Sequence, residues 1–408
     1  MANQKTPVAI AQAAIDAVAK YGSKSKAAKA LKIPEPTLYN RVRAADMYGL
    51  VPGGNAKSDD QKLDDAAVLR EQLRQVEAKL MSASRQTLSD EFVKREIIKL
   101  AAQKPNIPTW LVRKPKNGKN IGVPTLFASD WHWGEVVDPK QVGGVNEYDM
   151  GIAQDRARAM VEVTIDIVRN HLNVETPGIV FALGGDMVSG DIHEELMATN
   201  QAEAMPTIID LYGVLIWCIR KLADEFGNVF IPCVSGNHGR MTHKIRAKGR
   251  NYTNFDWLLY QFLCKAFDGD KRVVFQIPDG PDALYSVFGH KYLLTHGDQF
   301  RGGDGMIGAL GPIIRGDHKK RSRNAQIDAE YDTLLLGHWH QLIQLQRLIV
   351  NGSLKGYDEY ANSNNFGFEP PRQALWITNP HHGITFTAPI NVDRSNTKPT
   401  TGAWVAWK

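Results

Sequence analysis

From residue 121 onward, short apolar runs of strand length alternate with longer stretches that repeat at helical spacing. The runs at 123–128, 178–183, 229–234, 283–288, 292–295, 333–336 and 343–350 predict β-strands, and the segments near 152–171, 201–226 and 252–267 predict helices. Two later apolar segments, 374–378 and 383–388, read as strand and loop. Strands and helices in alternation predict an α/β domain with helices outside the sheets, beginning near Ile121.

The first fifty residues follow a different pattern. Val8, Ile10, Ala14, Ile15 and Val18 recur at helical spacing and stop at Tyr21-Gly22, where glycine suits a helix end. An Ala-rich segment from Ser23 to Leu31 follows, with serine available as N-cap; a third helix starts at Glu35-Pro36 with proline in its first turn. A short helix, a tight turn and a helix carrying Thr37, Tyr39, Asn40, Arg41 and Arg43 resembles the small helix-turn-helix domains of bacterial and phage regulators, whose second helix reads DNA. The alternative is a solvated three-helix bundle or a protein-docking module. We therefore expect a domain over residues 1–52.

Between the two patterns, Leu69, Leu73, Val76, Leu80 and Ala83 alternate spacings of four and three. They predict a helical connector over 58–104, either a homodimerising coiled coil through residues 69–83 or a single helix packed on the domain that follows. The Pro-, Lys- and Gly-rich stretch 105–121 reads as a basic linker, leaving 122–408 as the α/β domain.

Composition changes this picture little: 43% hydrophobic and 23% charged residues are those of a globular protein. The net charge of +5 is modest, and residues 1–52, with eight Lys/Arg against three Asp/Glu, carry 8 − 3 = +5 by themselves. Cys218, Cys233 and Cys264 are odd in number and widely spaced, so neither a disulfide framework nor a thiolate metal site is expected. No stretch has signal-peptide or membrane-spanning character, and the expected location is a cytoplasm, without a membrane partner.

The chemistry lies just past the predicted strands, in Asp130-Trp131-His132, Gly185-Asp186, Gly236-Asn237-His238, His296-Gly297-Asp298 and Gly337-His338-Trp339-His340. In open α/β sheets, ligands collect at the carboxyl ends of strands. Asp130, His132, Asp186, Asn237, His296, His338 and His340 supply two Asp, one Asn and four His. That set suits two divalent ions, and its mixture of nitrogen and oxygen donors without thiolate favours Mn, with Fe, Zn or Co also compatible. Two such ions clamp a phosphate ester, activate water and stabilise the charge of in-line displacement.

These five segments, in this order, resemble the motifs D-x-H, G-D, G-N-H, H and G-H-x-H of the calcineurin-like metallophosphoesterase superfamily. The likeness covers about 122–355 and includes Asn351-Gly352-Ser353. It implies a four-layer α/β/β/α sandwich. It also implies Asp130, His132, Asp186 and His340 around one ion and Asp186, Asn237, His296 and His338 around the other, with Asp186 bridging. His238 matches the family's phosphate-contacting histidine, which protonates the leaving oxygen. Many members carry an acid directly after G-N-H, whereas Gly239 stands here; either Asp191 or Glu194 orients His238 instead, or His238 is less firmly held. His193, His243, His290, His318, His381 and His382 read as surface or core histidines.

For the substrate, basic segments follow the third motif (Arg240, Lys244, Arg246) and separate the fourth from the fifth (Arg301, Lys319, Arg321). Read as loops on the metal side, they would grip a polyanion; read blandly, they are solvated charges. The glycines from Gly302 to Gly316 suggest a mobile lid. The chain is distantly similar to SbcD-type DNA nucleases, but 408 − 340 = 68 residues follow His340, so their capping domain is not reproduced. The combination looks more like phage-encoded phosphoesterases, placing it in a host cytoplasm. The expected function is a two-metal phosphodiesterase cleaving DNA, with DNA as partner. The alternatives are a phosphomonoesterase or small-nucleotide phosphodiesterase, or a DNA-binding regulator with an inactive phosphoesterase scaffold.

Overall fold

The computed structural model describes residues 6–53, 107–112, 121–302, 308 and 310–393. The chain divides into two compact units, Met1–Glu96 and Ile97–Lys408. The heptad positions Leu69 to Ala83, the rest of the 58–104 connector and residues 303–307 of the glycine-rich stretch lie outside the described residues.

In the first unit, helices α1 (Val8–Tyr21), α2 (Lys24–Ala30) and α3 (Glu35–Met47) form as their end signals predict. Gly22 closes α1 at φ +76°, its N–H returning to the Val18 carbonyl, and the Ser23 side chain accepts from Lys26 N at the start of α2. Ala14, Ala17, Ala27, Ala28 and Leu38 make the small core. On α3, Tyr39, Asn40 and Arg43 are exposed while Thr37 and Arg41 are half-buried, and Lys24 lies over the Tyr39 ring.

The second unit is mixed α/β with two sheets. In the six-stranded sheet, strands β1 (Val123–Ala128), β2 (Ile179–Leu183), β3 (Val229–Pro232) and β4 (Val273–Gln276) run parallel. Strands β10 (Arg372–Asn379) and β11 (Gly383–Asn391) extend it beyond β1 as an antiparallel pair, giving the order β11-β10-β1-β2-β3-β4. The five-stranded sheet has the order β5-β6-β7-β9-β8, from β5 (Asp282–Val287), β6 (His290–Thr295), β7 (Thr333–Leu336), β8 (Ile343–Leu345) and β9 (Leu348–Val350).

Burial explains the runs. β1, β2 and β3 are buried along their whole length and so read as continuous apolar segments, whereas β5 alternates. One core joins helices Met150–Asp166, Ala204–Phe226 and Phe255–Ala266 to the six-stranded sheet. A second contains Phe127, Val180 and Phe230 from that sheet together with Tyr285, Tyr292, Leu294 and Leu335 from the other. A third gathers Leu293, Leu334, Leu336 and Val350 with Phe300 and Ile313. Trp131, Trp133 and Trp376 are fully buried; at roughly 200 Å² of mostly apolar surface each, they contribute about 5 kcal/mol apiece by area.

Four expectations are corrected. The run 343–350 is not one strand but the antiparallel pair β8 and β9, split by the turn at Gln346-Arg347. Strand β4, only four residues long, was not anticipated. The 105–121 linker fails at Thr109–Val112, a helical turn whose Leu111 is buried in the second core and whose carbonyl accepts from Phe288 N at 2.8 Å. The glycine- and charge-rich segment read as a loop is the helix Leu310–Ala325. Gly316 permits it, because a Cβ there would lie 2.5 Å from the Phe300 ring. Cys218 and Cys233 are buried and Cys264 is half-buried, all as free thiols. Among the described residues no helix is long and apolar enough to cross a membrane.

Candidate metal centre

Parallel pairing aligns the carboxyl ends of β1, β2 and β3, and of β6 and β7, and the five motif segments emerge from those ends. The chain bends sharply there. Asp130, His132, Asp186, His338 and His340 all have positive φ, between 48° and 69°. Such backbone costs on the order of 1 kcal/mol or more per non-glycine residue and collects where function demands it.

The bends bring the donors together. Asp130, His132 and His340 form one group, and Asp186, His296 and His338 form another, with donor atoms inside each group within 4.8 Å of one another. Asp186 also groups with His132 and His238, so it stands between the two. Asn237 Oδ1 lies 3.1 Å from His296 Nε2. All seven predicted donors therefore meet at one rim. Asp130, His132, Asp186 and His296 are buried at its base, whereas Asn237, His338 and His340 are partly exposed at its mouth.

Two observations fit cations. His132 Nε2 and His340 Nε2 face each other at 3.0 Å, the spacing of neighbouring nitrogen donors around one ion with bonds of about 2.1 Å. Asp186 Oδ2 is buried without a hydrogen bond, although His296 Nε2 lies 2.9 Å away. With His296 protonated this oxygen pairs with the imidazolium; with that proton displaced it is left free to bridge. His296 Nδ1 faces the Gly184 carbonyl at 2.9 Å, which as donor would leave Nε2 toward Asp186.

Residues that sequence reasoning missed hold this rim in place. Asp256 is fully buried; its Oδ2 accepts from Asp186 N and Gly236 N, both at 2.9 Å, and its Oδ1 from Met187 N at 3.2 Å. It thereby ties the second motif to the third. Burial and the nearby Asp186 push its carboxyl up to about 7 against the pull of those N–H groups. Glu135 lies 3.4 Å from His132 Nδ1 and accepts from Lys355 Nζ at 2.7 Å, with Asp358 on the other side of that ammonium. Asn351 bonds Ser129 Oγ and Gln373, and Ser353 Oγ donates to the Asp130 carbonyl, so the Asn-Gly-Ser segment braces the first motif. The sequence trace of Asp256 and Glu135 is a lone acid in an otherwise uncharged run, Asn254-Phe255-Asp256-Trp257-Leu258 and Trp133-Gly134-Glu135-Val136-Val137, and Lys355 carries none.

His238 lies between the groups of donors. Its backbone N–H donates to Asp186 Oδ1 at 2.7 Å, and its Nδ1 faces the Ser189 carbonyl at 3.2 Å. That carbonyl takes the orienting role expected of Asp191 or Glu194; Asp191 is exposed. The glycine after G-N-H also has a reason, since a Cβ on Gly239 would approach Asn254 Oδ1 to 2.7 Å and the Asp256 carboxyl to 3.2 Å. His193 is exposed, as read from the sequence, and its ring packs against His238 with centroids 5.7 Å apart.

The basic residues divide. Arg240 donates to the carbonyls of Asn237, Thr242 and His243, and with Arg246 and Arg250 it lines a small groove that also includes Asn237 and Asp298. Lys244 and Arg301 are exposed. Arg321 is committed elsewhere, to the Asp317 carboxylate and the carbonyls of Tyr331, Asp332 and Arg347, while Lys319 projects from the helix surface. The substrate role expected of Arg321 is therefore corrected: it staples its helix to the five-stranded sheet.

The charges at the rim are strongly displaced. Burial opposes a proton on His296, but Asp186, Asp130 and Asp298 outweigh it and raise the imidazole to about 10. Burial and the neighbouring His296 lower His338 to about 4, and burial with Lys355 holds His132 well below its usual value. At pH 8 the metal-free centre thus keeps a proton on His296 while His338 and His132 are neutral. A cation on His296 Nε2 must displace that proton. Calorimetric titration with Mn at pH 8, in buffers of different ionisation enthalpy, should show about one proton released per centre filled, with affinity rising with pH until about 10. Binding with no proton release would contradict this assignment.

No protein-family model matches the chain, and no curated protein does either. Among solved structures it is similar to Vps29 from Entamoeba histolytica complexed with zinc, at 12% identity over 66% of this chain and 100% of that one, TM-score 0.28. It is also similar to a predicted phosphoesterase from Streptococcus pneumoniae, at 12% identity over 66% and 97%, TM-score 0.25. A third is the sulfate thiohydrolase SoxB from Thermus thermophilus in complex with glycerol, at 11% identity over 68% and 58%, TM-score 0.26. At these scores the functional reading rests on the site itself.

Proposed function

We propose that the protein is a member of the calcineurin-like metallophosphoesterases, with their four-layer α/β/β/α sandwich, and that it hydrolyses DNA phosphodiester bonds with two divalent ions, Mn foremost. The observation that carries this reading is the convergence of seven nitrogen and oxygen donors from five strand ends around Asp186, whose buried Oδ2 faces the His296 imidazole. Asp130, His132 and His340 would hold one ion and Asn237, His296 and His338 the other, with Asp186 between. When bound, the ions would supply activated water and charge neutralisation at phosphorus.

The chain's own groups complete the chemistry. Backed by the Ser189 carbonyl, His238 keeps one ring nitrogen for the substrate and donates a proton to the leaving oxygen. Burial lowers its pKa against the opposing pull of Asp186 and Glu135, which makes the protonated ring a stronger acid. Arg240 and Arg246 offer positive charge beside Asn237, where a phosphodiester backbone would run, while Arg250 pairs with the Asp298 carboxylate at 2.9 Å. In the first unit, the exposed Tyr39, Asn40 and Arg43 of α3, with Thr37 and Arg41, would hold DNA and raise its local concentration.

The test compares end-labelled DNA with a chromogenic diester, both with Mn. His238→Ala should lower turnover of DNA by about 10²–10⁴-fold while sparing metal binding. Removing the first 104 residues should weaken DNA affinity and leave turnover of the small diester intact. Equal losses on both substrates would end the tethering reading, and hydrolysis of monoesters alone would favour a phosphomonoesterase.

A further inference from the structure

One exposed aromatic patch sits on a segment whose two ends are tied to the lobe of His132 and His340, and it takes no part in the chemistry above. Between β9 and β10, Tyr360, Phe366 and Phe368 are 67%, 50% and 56% exposed. They are ordered among themselves: Tyr360 meets Phe366 edge-on at 5.9 Å, and Phe368 lies 5.7 Å from the half-buried Tyr357. Both ends of the segment are pinned to the lobe that holds His132 and His340. At its start, Asp358 pairs with Lys355, whose ammonium also holds the Glu135 carboxylate beside His132. Burial would raise the Asp358 carboxyl, but Lys355 and the nearby His340 lower it to about 2. At its end, Glu369 accepts from Leu342 N at 3.0 Å, two residues beyond His340.

The rim therefore has two unlike flanks. Arg240, Arg246 and Arg250 line a groove with Asn237, and the segment that carries the exposed rings is anchored at Asp358, near His340, and at Glu369 on Leu342 N. Positive charge matches phosphates; flat rings match bases, and only unpaired bases can leave their own stack to meet them.

Resting on the phosphodiesterase reading above, we propose that Tyr360, Phe366 and Phe368 form a stacking platform for unpaired bases, which makes single-stranded DNA the substrate whose backbone crosses the metal centre. The platform fixes the strand by its bases while the arginine flank holds its phosphates. It asks nothing of the base edges, so the preference is for single strands and not for sequence.

The test measures KM and kcat with Mn for single-stranded DNA, a duplex of the same length and the chromogenic diester, on the full chain and the double variant Tyr360→Ala/Phe366→Ala. Each lost ring should raise KM for single-stranded DNA about tenfold, leaving duplex and diester kinetics unchanged. The variant Tyr360→Trp/Phe366→Trp should keep the wild-type KM, separating stacking from mere packing. A 2-aminopurine base in the strand, read in chelator, should be quenched by wild type and not by the alanine variant. If diester and DNA cleavage persist with unchanged KM, the platform falls and the phosphodiesterase stands. If wild type cleaves neither, both fall.

Discussion

Asp186→Ala should abolish the proposed Mn-dependent ester hydrolysis, with kcat/KM expected to fall by about 10³-fold or more. Among the described residues, Asp186 is the one side chain grouped with donors of both sets, next to His296 and His338 on one side and His132 on the other. Metal-based charge stabilisation of a phosphoryl transition state is worth several kcal/mol, and each 1.36 kcal/mol is a factor of ten. The same carboxylate accepts the His238 N–H, so its removal also frees the proposed proton donor. Metal content by mass spectrometry should fall with activity. A variant that retains two ions and wild-type turnover would remove the basis for a shared ligand. Stability should fall as well, because the His238 N–H loses its acceptor and the buried His296 imidazole its carboxylate partner.

The second large effect is on stability. Asp256→Asn should lower unfolding free energy by about 2–5 kcal/mol and weaken metal binding without touching a single donor. The carboxylate accepts three buried N–H groups, two on one oxygen and one on the other. An amide keeps one acceptor oxygen and turns an N–H₂ toward the remaining donors, leaving at least one buried group unsatisfied at about 1–3 kcal/mol each, with repulsion added. Urea unfolding with and without Mn checks it. Wild-type stability in the variant would mean the second and third motifs are held by other means. The close fit of these loops supports the expectation: a Cβ on Gly236 would lie 2.0 Å from Asp186 Oδ1 and 2.3 Å from Asp186 N.

Much of the centre was legible in the chain. Asp130, His132, Asp186, Asn237, His296, His338 and His340 were readable because short-range spacing after an apolar run is a local property, and parallel strands carry their ends to one edge whatever else the fold does. The fully buried strands β1 to β3 and the capped helices α1 and α2 were readable for the same local reasons. The helix Leu310–Ala325 was not: two glycines and many charges argue against it locally, and it exists because Phe300 fills the space above Gly316 while Lys320 and Arg323 reach Asp282. The turn at Thr109–Val112 likewise forms because Leu111 finds the core between strands far along the chain.

The sequence by itself thus determined which donor atoms are present, their order and the strand ends that carry them. Only the tertiary structure decided what surrounds them: Asp256 tying two motifs, Ser189 in place of an acid behind His238, Lys355 and Glu135 behind His132, and Arg321 turned away from the rim. Apart from Glu135, three residues from His132, those partners are separated by tens to hundreds of residues, and no periodicity encodes a contact between side chains that meet only after the sheets have paired. Donor chemistry is written residue by residue, whereas the hydrogen bonds that aim it belong to the packed interior.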